Sequence, residues 1–322
     1  MDQNFGRIAV LMGGCSSERE ISLRSGQAVY KAIKESGCDV VPLDITKDDP
    51  VKISAQILQA NIDIAFIALH GKLGEDGTIQ SILDELAIPY PGCDAHVSRA
   101  AFDKTVAQRI FKESRINIAP FVIINKKDLD PVEKILLSLR LFPVVVKPSC
   151  EGSSFGVTIV QRKEDVKAAL DVAFKYGEII LVERFIKGRE LTVGILEEKP
   201  LPVVEICPKR EFFDFNAKYQ SGNSEYIVPA NLSSEITKKV QAMALQAYHV
   251  LGCRDFSRVD VILEAESLPY VLEVNTIPGF TATSLLPKAA AAAGLTFQDL
   301  CLKLVRLAYG KTKKHKTNLG RI

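Results

Sequence analysis

The chain has 322 residues, of which 47% are hydrophobic and 25% charged, and its formal net charge is only +2. It can therefore bury a large core and divide into two or three domains, but its charge is too balanced for a general nucleic-acid-binding protein. No window reaches the roughly 18 uninterrupted apolar residues that span a bilayer, and the N-terminus lacks a signal pattern, so we expect a cytoplasmic protein.

The first hundred residues predict a parallel sheet with helices packed on it. Ser17 and Glu20 have the spacing of a capping box, which would begin the first helix. Strands that alternate with helices are typical of a parallel α/β domain, expected here over residues 1–100. The predicted elements are strands at residues 7–12, 39–43 and 62–69 and helices at residues 17–36 and 52–60.

Two further domains are predicted, over residues 101–188 and 189–312, before a basic tail at 313–322 that we expect to be frayed. The second domain is predicted to contain a helix from Asp103, strands at 121–124, 144–146, 157–160 and 179–182, and helices at 128–139 and 163–175. The third is predicted to contain strands at 191–196, 203–206, 259–263 and 270–274 and helices at 234–251 and 284–293. The seven cysteines include no CxxC pair, which indicates reduced thiols.

Three oxygen-bearing side chains near the C-terminal end predict a magnesium site. Glu273 and Asn275 are two residues apart on an apolar strand, so both face one side of the sheet, and Asp260 on the neighbouring strand can lie beside them. Carboxylates with an amide oxygen are typical ligands of a hard cation that bridges nucleotide phosphates. The alternative is a sheet edge with polar residues facing solvent.

A lysine at the end of a strand predicts a phosphate site. Lys147 ends an apolar strand and precedes a loop of small residues, 148–157. Such a loop offers backbone N–H groups to phosphate oxygens beside a fixed cation. It is not a Walker A loop, because the lysine precedes the glycines. Taken alone, the loop would more often be a simple turn.

Together these motifs resemble the ATP-grasp superfamily and, within it, the D-alanine–D-alanine ligase family. The ordered set covers almost the whole chain. It consists of Gly13-Gly14 with the segment 17–20 and Ser22, His70-Gly71, the segment 74–77, Asp103-Lys104, Lys147 with the loop 151–157, Glu183, the segment 217–219, Arg258-Val259-Asp260, Glu273-Val274-Asn275, Pro278-Gly279 and Ser284-Leu285. The resemblance implies a three-domain ATP-grasp fold that is α+β in its ATP-binding part.

The resemblance implies an ATP-dependent reaction through an acyl phosphate, with two Mg²⁺ ions, or Mn²⁺, on Asp260, Glu273 and Asn275. Lys104 and Lys147 are expected to hold phosphates, although Lys104 alone could be a solvated surface lysine. Lys218 is expected to reach the γ-phosphate or a substrate carboxylate. The remaining residues with an implied role in ATP binding are Ser154, Glu183, Arg184, Phe185, Ile186 and Glu190.

The resemblance also implies which residues bind two D-alanine molecules. Glu18 is expected to face a substrate ammonium and to join Ser153 and Tyr219 in a hydrogen-bonded set that fastens a lid. A plain helix cap is the alternative for Glu18, although Glu20 fits that role better. His70 is expected near the first substrate, or else is a structural histidine.

The resemblance also implies which residues bind the second substrate and which stabilise the oxyanion. Arg258, two residues before Asp260 on one strand, and the N–H of Gly279 are expected to stabilise the oxyanion of the tetrahedral intermediate. Ser284 and Leu285, at a predicted helix start, are expected to hold the second carboxylate.

One segment departs from the commoner family pattern, and it lies in the lid. At Phe215 and Asn216 most relatives have a tyrosine and an acidic residue, whereas Tyr219 is retained and predicts an amide product. The alternatives are a ligase that adds D-serine or D-lactate, another ATP-grasp ligase, or a nucleotide-binding protein without catalysis. The expected partners are D-alanine and ATP, without nucleic acid or membrane, and a homodimer stands as an open alternative to a monomer.

Overall fold

The structure, a computed structural model, describes residues 4–128, 142–208 and 224–319. The described ranges form three β-sheets that follow one another along the chain. Their strands are β1 (Ile8–Gly13), β2 (Val40–Ile45), β3 (Ile64–Ile67), β4 (Phe121–Asn125), β5 (Val144–Pro148), β6 (Thr158–Val160), β7 (Ile179–Arg184), β8 (Gly188–Leu196), β9 (Lys199–Pro200), β10 (Val204–Pro208), β11 (Ser224–Ile227), β12 (Phe256–Glu264) and β13 (Leu268–Asn275). Their helices are α1 (Arg19–Glu35), α2 (Pro50–Gln59), α3 (Thr78–Glu85), α4 (Ala95–Phe102), α5 (Lys104–Glu113), α6 (Val166–Ala173), α7 (Ser234–Leu251), α8 (Leu285–Ala292) and α9 (Phe297–Leu319).

The first sheet is parallel, as the sequence predicted, with the strand order β2-β1-β3. All six residues of β1 are buried, as expected for a parallel strand covered on both faces. Alternate side chains enter two different cores. Ile8 and Val10 pack with α1 residues on one face, whereas Ala9 and Leu11 pack with α2 residues on the other. The central strand therefore fixes two layers of helices at once.

The second and third sheets are antiparallel. The second has the order β4-β7-β5-β6 and packs against α6. The third has the order β11-β10-β8-β12-β13, with β9 paired to β8, and packs against α7. The predicted fold class, α/β with an α+β ATP-binding part, is confirmed. The predicted boundaries at residues 100, 188 and 312 remain predictions.

The last helix differs from the sequence prediction. The segment 313–322 was predicted to be a frayed tail, but α9 is helical through Leu319. Its apolar residues Leu300, Leu304 and Val305 recur at helical spacing and are fully buried in the same core as Ile8 and Val10. The N-terminal sheet and the C-terminal helix thus share one hydrophobic core.

The predicted capping box is wrong. Helix α1 begins at Arg19 with Glu18 in the N-cap position, and no side chain caps it. The Oγ of Ser16 instead accepts a hydrogen bond from the N–H of Glu18 at 3.2 Å. Two short helices, α3 and α4, were not predicted, and the helix predicted at residues 128–139 lies outside the described residues except for its first position. Across the described ranges, no helix has the length and apolar character needed to cross a bilayer.

Partly buried polar contacts connect α9 to the rest of the chain. Asp255 accepts hydrogen bonds from the N–H of Gly92 at 2.8 Å and from Lys311 Nζ at 2.5 Å. Lys311 also donates to the backbone oxygen of Tyr90 at 2.9 Å. Burial lowers the pKa of Lys311, and the charge of Asp255 opposes that shift. The carboxylate of Asp255 therefore connects the segment between α3 and α4 to the last helix.

Asp255→Asn tests these polar contacts, because it removes the charge of the side chain and keeps its size. Loss of a hydrogen bond to a charged group costs about 1.5–3 kcal/mol, so we expect the free energy of unfolding to fall by about 2 kcal/mol. Asp39→Asn, which breaks an exposed ion pair with Arg7, is the control and should cost at most about 1 kcal/mol. Urea denaturation measures both, and equal losses would contradict the assignment.

Candidate active site

A cavity of about 550 Å³ gathers most of the residues that the sequence singled out. It is lined by the start of α1, by the loop after β5, by β12 and β13, and by the segment between β13 and α8. The predicted residues that line it are Glu18, His70, Lys104, Ser153, Glu190, Arg258, Asp260, Glu273, Asn275, Gly279, Ser284 and Leu285. Residues up to 267 positions apart in the sequence therefore share one space.

The three predicted metal ligands are neighbours on β12 and β13. Asp260 is paired with Glu273 in the antiparallel register, and Arg258 is paired with Asn275. The amide nitrogen of Asn275 donates to Asp260 Oδ2 at 3.0 Å. The amide oxygen of Asn275 is then the atom with lone pairs for a cation. The period of two along each strand, which the sequence prediction used, accounts for this arrangement.

Asp260 is the centre of a hydrogen-bonded cluster. Arg258 donates through Nε and Nη2 to its two carboxylate oxygens, at 3.0 and 2.8 Å. Thr192 Oγ1 on β8 donates to Asp260 Oδ1 at 2.6 Å. Such bonds orient a carboxylate that binds a metal. The sequence analysis missed Thr192, because an isolated threonine in a strand carries no signal of its own.

Lys104 lies between the loop after β5 and the predicted metal ligands. Its Nζ donates to the backbone oxygen of Glu151 at 2.7 Å and is 3.4 Å from Glu273 Oε2. Burial lowers the pKa of Lys104, but the charge of Glu273 and its hydrogen bond outweigh burial and raise the pKa above its usual value. The ammonium is therefore charged at neutral pH, and the expectation of a solvated surface lysine does not apply.

The donor atoms at this place suit a hard divalent cation. Asp260, Glu273 and Asn275 supply carboxylate and amide oxygens, which Mg²⁺ and Mn²⁺ prefer. Both carboxylates have cationic partners, Asp260 in Arg258 and Glu273 in Lys104, so positive charge already lies beside each of them. The chemistry of the donor set therefore fits the implied metals.

Glu18 and Ser153 meet at the cavity, as the resemblance implied. Ser153 Oγ donates a short hydrogen bond to Glu18 Oε1, and both side chains are buried. A Cβ on Gly152 or on Gly71 would approach Glu18 Oε2 to 2.5 or 2.7 Å, so a side chain at either position would displace the carboxylate. The carboxylate is therefore enclosed by the loop after β3 and the loop after β5. Tyr219 and Lys218 lie outside the described residues.

His70 is buried and bonded to protein atoms on both sides of its ring. Nε2 is 3.0 Å from Ser25 Oγ, and Nδ1 is 3.1 Å from the backbone oxygen of Ile277 and 3.4 Å from Glu75 Oε1. The sequence analysis placed His70 near the first substrate, and it does line the cavity. Ser25 was missed, because a serine inside a helix gives no sequence signal for a site.

The helix start predicted at Ser284 is observed, with Ser284 in the N-cap position of α8. Its hydroxyl does not cap the helix. Ser284 Oγ instead accepts from the N–H of Thr281 at 3.0 Å and lies 2.8 Å from Thr281 Oγ1. The start of α8 thus has no side-chain cap, and Ser284 and Leu285 line the cavity, as an anion site at a helix start requires.

Six of the residues predicted to bind ATP do not line the described cavity, unlike Lys104 and Glu190. Lys147 and Glu183 are buried and form an ion pair at 2.6 Å between β5 and β7. The guanidinium of Arg184 lies 3.1 Å from the hydroxyl of Tyr270. The N–H of Phe185 bonds to the backbone oxygen of Pro143. The other members of this group are Ser154 and Ile186.

Other cavity-lining residues were not predicted. Arg24 on α1 and Lys288 on α8 add positive charge, and Tyr226 lies under Lys288, whose Nζ is 5.5 Å from the ring centroid. Lys288 follows Ser284 by four residues, which places both on one face of α8. That spacing was the one signal in the sequence that could have revealed Lys288.

Comparison with known proteins gives a consistent result over the length of the chain. The family model described as D-ala D-ala ligase N-terminus matches residues 7–54 and 48–93, and the model described as D-ala D-ala ligase C-terminus matches residues 110–306. A D-alanine–D-alanine ligase of Geotalea uraniireducens is 45% identical over 302 residues, which are 94% of this chain and 95% of the relative.

Solved structures agree with the sequence matches. The D-alanine–D-alanine ligase from Bacillus anthracis complexed with ATP superposes with a TM-score of 0.82 at 32% identity, covering 97% of this chain and 99% of that one. The VanG D-Ala:D-Ser ligase from Enterococcus faecalis superposes with a TM-score of 0.81 at 30% identity, covering 95% and 100%.

Lys147→Met tests whether the buried ion pair supports the fold. The substitution leaves the Glu183 carboxylate buried without its ammonium partner, so we expect the free energy of unfolding to fall by about 3–5 kcal/mol. Adding Glu183→Gln removes the stranded charge and should recover at least about half of that loss. Lys31→Met, in an exposed pair with Glu35, is the control and should cost less than about 0.5 kcal/mol. A double variant no more stable than Lys147→Met would contradict this reasoning.

Proposed function

The chain belongs to the D-alanine–D-alanine ligase family and joins two D-alanine molecules in an ATP-dependent reaction that supplies peptidoglycan synthesis, and we propose how its residues divide this work. One observation carries the proposal. Two carboxylates with cationic partners, Asp260 and Glu273, share a cavity with Glu18 and with the helix start at Ser284. The cavity therefore combines groups that can bind the phosphates of ATP, the ammonium group of one substrate and the carboxylate of another.

For ATP, we propose that Lys104 and Lys147 hold phosphate oxygens, helped by Ser154 and Lys218. Glu183, Arg184, Phe185 and Ile186 would receive the adenine, and Glu190 the ribose hydroxyls. Asp260, Glu273 and Asn275 would hold two Mg²⁺ ions, or Mn²⁺. When bound, these ions supply positive charge to the phosphoryl group that is transferred. The charged state of Lys104 at neutral pH supports its share of this role.

For the first step, we propose that the carboxylate of the first D-alanine attacks the γ-phosphorus, giving an acyl phosphate and ADP. Glu18 would orient the ammonium of this substrate, and Ser153 would hold Glu18 in place through their hydrogen bond. Tyr219 would complete this set from the lid. His70 would lie beside the bound substrate, since it lines the same cavity. Exclusion of water protects the acyl phosphate from hydrolysis.

For the second step, we propose that the amine of the second D-alanine attacks the acyl carbon and that phosphate leaves. Ser284 and Leu285 would hold the second carboxylate at the start of α8. Arg258 and the N–H of Gly279 would stabilise the oxyanion of the tetrahedral intermediate. Arg258 is fixed by its two hydrogen bonds to Asp260, which supports a preorganised charge.

We propose a cytoplasmic location, where ATP is available, and either a monomer or a homodimer as the active form. Light scattering after size-exclusion chromatography determines the oligomeric state.

A substrate panel tests the reaction and its second substrate. We expect ADP formation to require D-alanine and the product to be D-alanyl-D-alanine when D-alanine, D-serine and D-lactate compete at equal concentration and neutral pH. D-serine is included because the VanG structure has a similar fold. Products identified by mass spectrometry decide the result. A mixed dipeptide with D-serine or an ester with D-lactate as the main product would overturn the proposal.

Glu273→Gln tests the metal assignment. The substitution removes one charge from the cation site and keeps the size of the side chain, so we expect kcat to fall by about a thousandfold, equivalent to about 4 kcal/mol of lost electrostatic stabilisation. Glu266→Gln, exposed in the turn of the same hairpin, should retain activity within about twofold because surface substitutions have small effects. Steady-state ADP formation with varied Mg²⁺ measures both variants. Normal turnover in Glu273→Gln would refute the assignment.

A further inference from the structure

A serine on α1 connects two parts of the site that lie far apart in the sequence. Ser25 has an exposed fraction of only 1% and lines the cavity. Its Oγ accepts a hydrogen bond from the N–H of Phe280 at 3.1 Å and lies 3.0 Å from Nε2 of His70. A hydroxyl can accept and donate at once, so both contacts can be hydrogen bonds.

The partners of His70 determine the direction of each bond. Nδ1 faces only acceptors, the oxygen of Ile277 at 3.1 Å and a carboxylate oxygen of Glu75 at 3.4 Å, so Nδ1 carries the proton. In the neutral ring Nε2 then accepts, and Ser25 Oγ–H donates to it. The result is a chain in which Phe280 N–H donates to Ser25, Ser25 donates to His70, and His70 donates to Ile277.

This chain begins and ends on the same loop. Ile277 and Phe280 enclose Pro278 and Gly279, and the loop follows β13, which carries Glu273 and Asn275. Both ends of the four-residue segment 277–280 are therefore bonded to the Ser25–His70 pair. The N–H of Gly279, assigned above to the oxyanion, lies between these two attachment points.

We propose that Ser25 is a positioning residue for the second step of the reaction, acting through His70 and Phe280 on the loop that carries Gly279. The inference rests on the proposed function, in which Gly279 and Ser284 serve the second step. A displacement of about 1 Å in a catalytic group can cost about a hundredfold in rate, so a small shift of this loop would be measurable.

The same helix offers a matched control. Ser22 lies one turn before Ser25, is fully buried, accepts from the N–H of Gly13 at 2.8 Å and donates to the oxygen of Ala68 at 2.7 Å. It has the same number of hydrogen bonds as Ser25, but it does not line the described cavity. Ser22→Ala therefore reports the cost of losing a buried hydroxyl from α1 without disturbing the loop.

The experiment compares Ser25→Ala with Ser22→Ala in steady-state ADP formation. For Ser25→Ala we expect kcat/KM for the second D-alanine to fall about ten- to a hundredfold, with KM for ATP unchanged. For Ser22→Ala we expect kcat/KM for the second D-alanine and KM for ATP to stay within about twofold of wild type. The unfolding midpoint should decrease by about as much in Ser22→Ala as in Ser25→Ala. Equal kinetic effects in the two variants, or a loss confined to KM for ATP, would overturn the proposal.

Two further variants test the proposal even if Ser25→Ala does not fold. If Ser25→Ala does not fold, Ser25→Cys, which keeps the size and a weaker donor, should show an intermediate loss, and normal kinetics in it would also overturn the proposal. The double variant Ser25→Ala, His70→Ala should have the same kcat/KM for the second D-alanine as His70→Ala alone, because the two residues act as a unit. If the losses of the two single variants multiply in the double variant, the proposal is contradicted. Wild-type protein without D-alanine-dependent ADP formation would instead refute the proposed function.

Discussion

The enclosed carboxylate of Glu18 is the constraint on which the site depends. A buried carboxylate is costly unless it is hydrogen-bonded, and Ser153 supplies such a bond from the loop after β5. A Cβ on Gly71 or Gly152 would displace this carboxylate from its present position. Ser153 itself adopts a positive φ of 50°, a conformation that L-residues rarely take. Because the Glu18 carboxylate needs a hydrogen-bond donor, the loop that follows Lys147 is held where Ser153 can supply one.

Charge balance organises the other side of the cavity. Asp260 and Glu273 lie beside each other on adjacent strands, where two like charges would repel, but Arg258 and Lys104 neutralise them. Thr192 and Asn275 then fix the direction of the Asp260 oxygens. These hydrogen bonds orient the charged groups relative to one another, and preorganised charge is what electrostatic catalysis requires.

The parts that sequence could predict are those governed by short-range periodicity. Alternation along β12 and β13 predicted the cluster of Asp260, Glu273 and Asn275, and strand–helix alternation predicted the parallel sheet. The pairing of Lys147 with Glu183 across 36 residues could not be read from spacing, because it depends on the register of β5 and β7. Ser25 and Thr192 gave no signal, since their roles depend on partners that are distant in the sequence. Helix α9 did have a helical apolar pattern, but the basic residues in its last turns led to the prediction of a frayed tail.

The shared core of the first sheet and α9 has a consequence for the order of folding during synthesis. Ile8 and Val10 leave the ribosome early, but the residues that cover them include Leu304 and Val305. Phe5 likewise packs edge-on against Tyr309, with ring centroids 5.6 Å apart. Although α1 can cover this face of the first sheet early, the core that they share thus stays incomplete until nearly three hundred further residues have been translated. The nascent chain must keep the uncovered part of that core from aggregating throughout this interval, a task for which chaperones are suited.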